Sequence, residues 1–516
     1  MYRTLLLLLL AGFWSCNSET PEAAETQAEP RVSSTYVPST FAQDDRRQQI
    51  ESIRMKLHQL FADYAKDRNI PGIAYGVVVD DELVIDSAVG VINREQEIAA
   101  TTESSFRIAS MTKSFTAMAI MKLMEDGRIA LGDPVADYIP EMSELVYPTN
   151  DAPVITIENL LTMTAGFPED NPWGDRQLDE PDSMLTNLIL SGISFSNPPG
   201  FAFEYSNTGY AILGMIVSRV SGMPYQEYIT TRILQPLGMS ETYWEYEAVP
   251  AEQLAIGYRP ESLEIEPMLH DGAFGAMGGL ITSISDFSKY VSFHLSAWPP
   301  RTAADDGPVK RSSLRKMHQP QFVRLIPNAT DWNDVPCPVL SGYGFGLGIS
   351  ENCAGTRRIS HGGALPGFGS NYVFYPDLGI GIMAFCNLTY TTPWPYPEIL
   401  KLLFDELDLQ PRQVGTADIL TTRRDQIVEM ITSWDAGLEQ QILAENFYLD
   451  EPRDPRMEKI NALLTEAGPI QSVSDVRAIN QLRGAFDLNA ERDTLRVFFT
   501  LSPEADPKVQ RLNVNR

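Results

Sequence analysis

The chain changes its hydrophobic period twice, and this restricts the fold more than any other feature. "GIAYGVVVDDELVIDSAVGVI" (72–92) reads as two strands rich in β-branched residues around an Asp80–Asp81 turn. A long stretch of helices and loops follows. Strand patterns return only after about residue 340, in "YGFGLGIS", "NYVFYPD" and "GIGIMAFCN". A hairpin, then helices, then strands predicts an α+β fold: an antiparallel sheet flanked by helices, with a mostly helical subdomain inserted in the chain. One helix is apolar on most faces from Phe115 to Met124 and should lie at the centre, ending at Gly127. A second, "NTGYAILGMIVSRVSG", should end at Gly222, and a third opens with Pro224 in its first turn. Ser285 is expected to cap the helix that follows "GGLITS".

The two ends read differently. "MYRTLLLLLLAGFWSC" carries Arg3 and then a short apolar run, Leu5 to Trp14, too short to span a bilayer comfortably. It resembles a bacterial lipoprotein signal, in which Cys16 would become the lipidated first residue. Secretion with cleavage nearby and an uncleaved anchor are the alternatives, and all three export the protein to the periplasmic side of a membrane or the cell surface. Residues 17–45, rich in Ser, Thr, Glu, Ala and Pro, read as a disordered tether that cannot bury a core. Residues 46–408 are expected to form the main domain, "QPRQVGTAD" (410–418) a linker, and 419–516 a small α+β accessory domain.

Composition removes several functions. A formal net charge of −28 argues against nucleic acid and bare anionic membrane as partners. Five dispersed histidines show no metal-ligand spacing, and no glycine-rich phosphate loop is present, so no metal or cofactor is expected. Four cysteines are no disulfide scaffold; one bridge, with Cys337 and Cys353 as candidates, is compatible with an oxidising compartment. Cys386, inside an apolar run, reads as a small buried hydrophobe.

Three stretches hold residues suited to chemistry. Ser110 and Lys113 in "FRIASMTKSFTA" share a helix face at i, i+3. A partly buried amine loses hydration and sheds its proton more easily, so Lys113 could take the proton of Ser110. The first turn of a helix also favours a developing anion. Such a spacing recurs in many unrelated helices, and alone it singles out nothing. In "FEYSNTGYAILG", Tyr205 precedes Ser206 and Asn207 at a helix start, where Ser and Asn are ordinary caps. Beside a cationic lysine the Tyr205 phenol would have a lowered pKa and serve as a proton shuttle, and Asn207 could hold both Lys113 and a substrate amide. In "ISHGGALPGFGS", His361 precedes Gly362 and Gly363 at an inferred strand end. Glycine lets a substrate backbone approach this edge, and the Ala364 N–H could join that of Ser110 as an oxyanion hole. His361 could donate to a substrate carboxylate or help move the proton, although a lone histidine is more often structural.

These stretches, with "ITIENLLTMTAGF" (155–167), "PPGFAFEYSNTGYAILG", "ILQPLGMSET" (233–242) and "GGLITS", resemble the serine β-lactamase and penicillin-binding-protein superfamily, in its order and over about residues 50–405. The closer resemblance is to its class C-like branch of D,D-carboxypeptidases, D-aminopeptidases and esterases. It implies Ser110 as nucleophile, Lys113 as general base, Tyr205 as proton shuttle, and Asn207, Gly362 and Gly363 at the substrate. Oxyanion contacts would come from the Ser110 and Ala364 N–H groups. The implied reaction is acylation of Ser110 by a small amide, ester or peptide and hydrolysis by water. A D,D-carboxypeptidase or β-lactamase, and an inactive binding lipoprotein, are the other readings. Gly362 stands where the family usually has Thr or Ser, which puts recognition of a substrate carboxylate in doubt. Met163 and Ala165 replace the usual His and Ser at positions that look structural.

Overall fold

The structure, a computed structural model, describes residues 31–516. The lipoprotein-like signal expected at the N-terminus, including Cys16, therefore lies outside the described residues, as does the first part of the expected tether. Residues 31–33, the described end of an N-terminal unit, carry no helix or strand. All that follows concerns the unit Ser34–Arg516.

Helix α1 (Arg54–Asp67) precedes a hairpin of β1 (Gly72–Val79) and β2 (Glu82–Asn93), continued by the short β3 (Ile98–Ala99). Helix α2 (Thr112–Glu125), α3 (Asn207–Ser221) and α4 (Ile284–Leu295) lie in the long insertion. Six strands follow: β4 (Gln321–Ile326), β5 (Val339–Tyr343), β6 (Gly348–Glu351), β7 (Arg357–Leu365), β8 (Phe368–Tyr375) and β9 (Ile380–Cys386), then α5 (Tyr396–Phe404). They join the hairpin in one nine-stranded sheet of order β3-β2-β1-β9-β8-β7-β6-β5-β4, and every pairing is antiparallel. The hairpin thus finds its partner in β9, with Ile73 opposite Cys386 and Val79 opposite Ile380.

Strand β1 is buried along its whole length because both faces of the sheet are covered. The strand period of two sorts its side chains. Ala74 and Val78 enter a core with α2, α3 and α4, while Ile73, Tyr75, Val77 and Val79 enter a second core with α1 and α5. Phe61 of α1 stacks on Tyr75 at 3.8 Å between ring centroids. On the opposite face Phe287 of α4 meets Tyr372 and Phe385 edge-on at 5.0 and 5.5 Å. Helix α2 is buried on nearly every side, as its sequence requires.

Two local readings change. Ser283, not Ser285, caps α4 by accepting from the Asp286 N–H, because Ser285 instead turns to Glu103 and the Thr102 carbonyl. His361 sits inside β7, not at a strand end. The run of small residues Gly362, Gly363 and Ala364 hides this strand from pattern reading.

After α5 the chain builds a further layer with its own core. Helices α6 (Asp418–Ser433) and α7 (Arg453–Ala467) pack on β10 (Ile470–Val473), β11 (Arg477–Asn480), β12 (Arg483–Ala490), β13 (Thr494–Leu501) and β14 (Val509–Asn515). Strand β13 alternates exposed and buried positions, so one face meets the helices and the other meets solvent. Gln481 bonds to both the N–H and the carbonyl of Val37, which fastens this layer to the start of the unit. The Cys337–Cys353 bridge is formed, with 5.1 Å between Cα atoms, and Cys386 is free and buried.

Candidate active site

The turn before α2 is a 3-10 segment, Ala109–Met111. Ala109 holds a left-handed φ of 51°, which costs an alanine about 1–2 kcal/mol. This turn is clamped from two sides. Ser370 of β8 donates to the Ile108 carbonyl at 2.7 Å. On β7, a Cβ on Gly363 would lie 2.2 Å from the Ile108 oxygen, so only glycine lets the strand approach this closely. Strand β7 pairs with β6 only as far as Ser360; its outer half, His361 to Ala364, instead lines a cleft of about 620 Å³ together with Ser110 and Tyr205.

Lys113 has no exposed surface. Its Nζ donates to Ser110 Oγ at 2.9 Å, Asn207 Oδ1 at 2.7 Å and the Met277 carbonyl at 3.0 Å. Burial pushes its pKa down to about 7, against the opposing carboxylates of Asp175 and Asp170. Once neutral, the amine keeps two N–H groups for Asn207 and Met277 and turns its lone pair to the serine hydroxyl. The arrangement is that of a base poised on a nucleophile.

Asn207 opens α3. Its backbone N–H and that of Thr208 donate to Asp170 at 2.7 and 2.8 Å, while Ser206 caps the helix through the Gly209 N–H. The Asn207 amide nitrogen donates to Asn171 Oδ1 at 2.7 Å, and the residue is fully buried. Both ends of its side chain are therefore held by protein. The expected substrate contact is replaced by a positioning role: Asn207 fixes Lys113.

Tyr205 is brought to Ser110, whose hydroxyl lies within hydrogen-bonding reach of the phenol, and Lys113 Nζ is 4.9 Å from its ring centre. The expected lowering of its pKa does not occur. Desolvation dominates and raises it well above the ordinary tyrosine range. Tyr205 is thus a neutral phenol, able to pass a proton to a leaving group but not to act as a phenolate base.

His361 also departs from expectation. Its Nδ1 lies 2.6 Å from the Gly362 carbonyl and its Nε2 2.9 Å from the Tyr343 hydroxyl. The geometry assigns an Nδ1–H donor to the carbonyl and an Nε2 that accepts from Tyr343. Burial first, then the nearby Lys113, lowers its pKa to about 4, so it is neutral. It braces the cleft wall and has no ring nitrogen left for a substrate carboxylate. Gly362, Gly363 and Ala364 remain on the wall facing Ser110.

Sequence reasoning missed Asp170, Asn171 and Asp175, all from the loop "PEDNPWGD" (168–175), as well as Tyr343 and Tyr390. Nothing periodic marks that loop; its density of turn and acidic residues before a helical stretch was the one available signal.

Comparison of the whole chain with known proteins gives the family. The family model described as Beta-lactamase matches residues 57–404. The chain belongs to this family. Protein flp of Staphylococcus aureus (strain MW2) is 27% identical over 391 residues, 74% of this chain and 71% of that protein. The putative penicillin-binding protein PbpX of Bacillus subtilis (strain 168) is 29% identical over 299 residues, 56% of this chain and 72% of that one. Among solved structures, an octameric penicillin-binding protein homologue from Pyrococcus abyssi gives a TM-score of 0.56 at 22% identity, covering 89% of this chain and 95% of that chain. That likeness speaks for the fold alone. The β-lactamase and penicillin-binding superfamily is one of serine hydrolases, and the α+β class expected from the sequence is the class observed.

The lysine geometry predicts a pH profile. Because Lys113 must be neutral to accept a proton, acylation should accelerate as pH rises through about 7 and then level off. Lys113→Ala should keep the fold and slow acylation by roughly 10²- to 10⁴-fold, with the rise near neutrality gone. Stopped-flow acylation across pH, with circular dichroism of the variant, measures both; an unchanged burst in the variant removes Lys113 as the base.

Proposed function

We propose that the protein is an exported serine hydrolase that forms an acyl-enzyme on Ser110 and cleaves amide or ester bonds of small acyl or peptide substrates. The observation that carries this reading is the buried Lys113 amine 2.9 Å from Ser110 Oγ. Ser110 Oγ bonds to the scissile carbonyl carbon, and its proton passes to Lys113 Nζ. The tetrahedral oxygen is held by the Ser110 and Ala364 N–H groups. Tyr205 relays the proton to the departing amine or alcohol as the carbon–nitrogen or carbon–oxygen bond breaks. Water then attacks the ester, releases the acid and returns the proton to Ser110.

Gly362 favours an esterase or peptidase over an enzyme dedicated to β-lactams or D-Ala-D-Ala ends. The strand position that would offer a hydroxyl to a substrate carboxylate offers none, and His361 is occupied by Tyr343. Export is supported by the N-terminal sequence and by the Cys337–Cys353 bridge, which oxidising compartments preserve. A lipid on Cys16, with the residues up to Ser33 as a tether, would hold the domain at a membrane surface; residues 34–45, expected in the tether, instead bond to the folded unit through Val37 and Thr40.

Exposure to p-nitrophenyl esters should add one acyl mass to the full chain at Ser110, and Ser110→Ala should show neither adduct nor turnover. A folded wild type that acquires no adduct from any ester or amide makes the chain a binding protein. Gly362→Thr should speed acylation by a carboxylate-bearing fluorescent penicillin about 10-fold, the worth of one hydrogen bond to a charged group. The added Cβ would lie 2.7 Å from Asn371 Oδ1, so the Asn371 amide must shift to admit it. No gain relative to a neutral ester sinks the carboxylate account. Cys16→Ser should move the protein from the membrane to the soluble fraction; an unchanged membrane share argues for an uncleaved anchor.

A further inference from the structure

Among the described residues, the cleft beside Ser110 is lined by a carboxylate and by no Lys or Arg side chain to answer one. Asp175 is 4% exposed and lines the same cleft as Ser110, Tyr205 and Gly362. It sits in a 3-10 turn, Gly174–Arg176, pressed onto Asn207: a Cβ on Gly174 would lie 2.8 Å from the Asn207 Cβ. The carboxylate is therefore held in fixed register with the Lys113 site. The Tyr390 hydroxyl, also on the cleft, is within hydrogen-bonding reach of it. Among the described residues Asp175 has no direct ion pair; the adjacent Arg176 turns away to Glu266 at 3.1 Å.

The residues lining the cleft include no Lys or Arg. Lys113 lies beneath the wall with its hydrogens directed to Ser110, Asn207 and Met277. His361 has both ring nitrogens bonded within the protein. Gly362 supplies no hydroxyl. A carboxylate-ended substrate would thus be desolvated beside Asp175 with no side-chain cation to compensate, whereas a cationic one would find a buried acceptor already in place. The overall charge of −28 favours the approach of cations at low salt.

We propose that Asp175 receives an ammonium group of the substrate, so that the acyl donors of this cleft are amino-bearing amides or esters rather than carboxylate-ended ones. The inference rests on the acyl-enzyme reading and names its substrate class. Asp175 makes and breaks no covalent bond. The bonds that change are those at Ser110 Oγ, the acyl carbon and the leaving nitrogen or oxygen, with the proton carried by Lys113 and Tyr205.

Alanine p-nitroanilides of both D and L configuration, with the amine free, N-acetylated or N-succinylated, test this on the full chain just above neutral pH. Wild type should give a kcat/KM for the free amine of one configuration about 10-fold or more above the N-acetyl form, with the N-succinyl form lowest. Asp175→Asn should lower the free-amine value relative to the two acylated forms by roughly 10- to 100-fold, the size of one charge-assisted hydrogen bond. Asp175→Glu should restore part of it. If Asp175 acted only through the charge of Lys113, the variant would change all three substrates by the same factor and only move the midpoint of the pH profile to lower pH. That result overturns the proposal, as does a wild-type preference for the N-succinyl form, which needs no variant to detect. Ser110 adducts without preference for the amine remove this inference and leave the acyl-enzyme reading standing. No adduct with any donor removes both.

Discussion

Everything at this site depends on an amine buried without a counter-ion in contact. Lys113 is inaccessible to water and is met by three neutral oxygens. A full positive charge there is costly, since neutral acceptors replace only part of the lost hydration. The protein lowers the cost by making the proton easy to lose. Asp170 and Asp175 act in the other direction, and the balance brings the amine into the neutral range where it can take a proton and return it. Remove the burial and the amine stays charged at neutral pH; remove the carboxylates and its pKa falls further.

That balance explains the surrounding architecture. Helix α2 must be central, because only a helix covered on all sides can hide a lysine in its first turn. Helix α3 must start where it does, because Asn207 bonds Lys113 with its side chain while its backbone N–H is tied to Asp170. The sheet brings β7 to the nucleophile turn, and the contact is so close that Gly363 has no substitute without displacement. Backbone strain at Ala109 is sustained by these clamps: Ser370 from β8 and the strand itself fix the carbonyl of Ile108 on the preceding residue.

What the sequence discloses follows the range of each interaction. The hairpin at 72–92 and the apolar α2 were readable because their periods are local and their burial is nearly complete. The Ser110–Lys113 spacing was visible as a pair on one helix face, and the family motifs supplied the partners that spacing could not. Where the reading failed, a tertiary contact decided the outcome. Tyr205 was expected to feel a cationic neighbour, yet desolvation by the whole cleft outweighs any single charge. His361 was expected at an edge facing substrate, yet Tyr343, eighteen residues earlier, takes its free nitrogen. Most strands of the accessory layer also escaped notice, because one face is solvated and their polar residues interrupt the pattern.

On the proposed reading, acylation and recognition would be physically separate on this cleft. Of the groups that would move the proton, Ser110 and Lys113 are buried and bonded to each other and Tyr205 is half-buried beside them, so they tolerate little change. Gly362 and Asp175 lie on the open wall and on a loop. They alter the charge and hydrogen-bonding capacity of the cleft without touching the geometry between amine and hydroxyl. A hydroxyl donor lost from the strand makes an anion less welcome, and a carboxylate held beside the cleft makes a cation more so. Because Asp175 also biases Lys113, a bound cation next to it would weaken that bias and favour the neutral amine. Occupancy of the recognition site would then activate the nucleophile, coupling the choice of substrate to the chemistry through a single carboxylate.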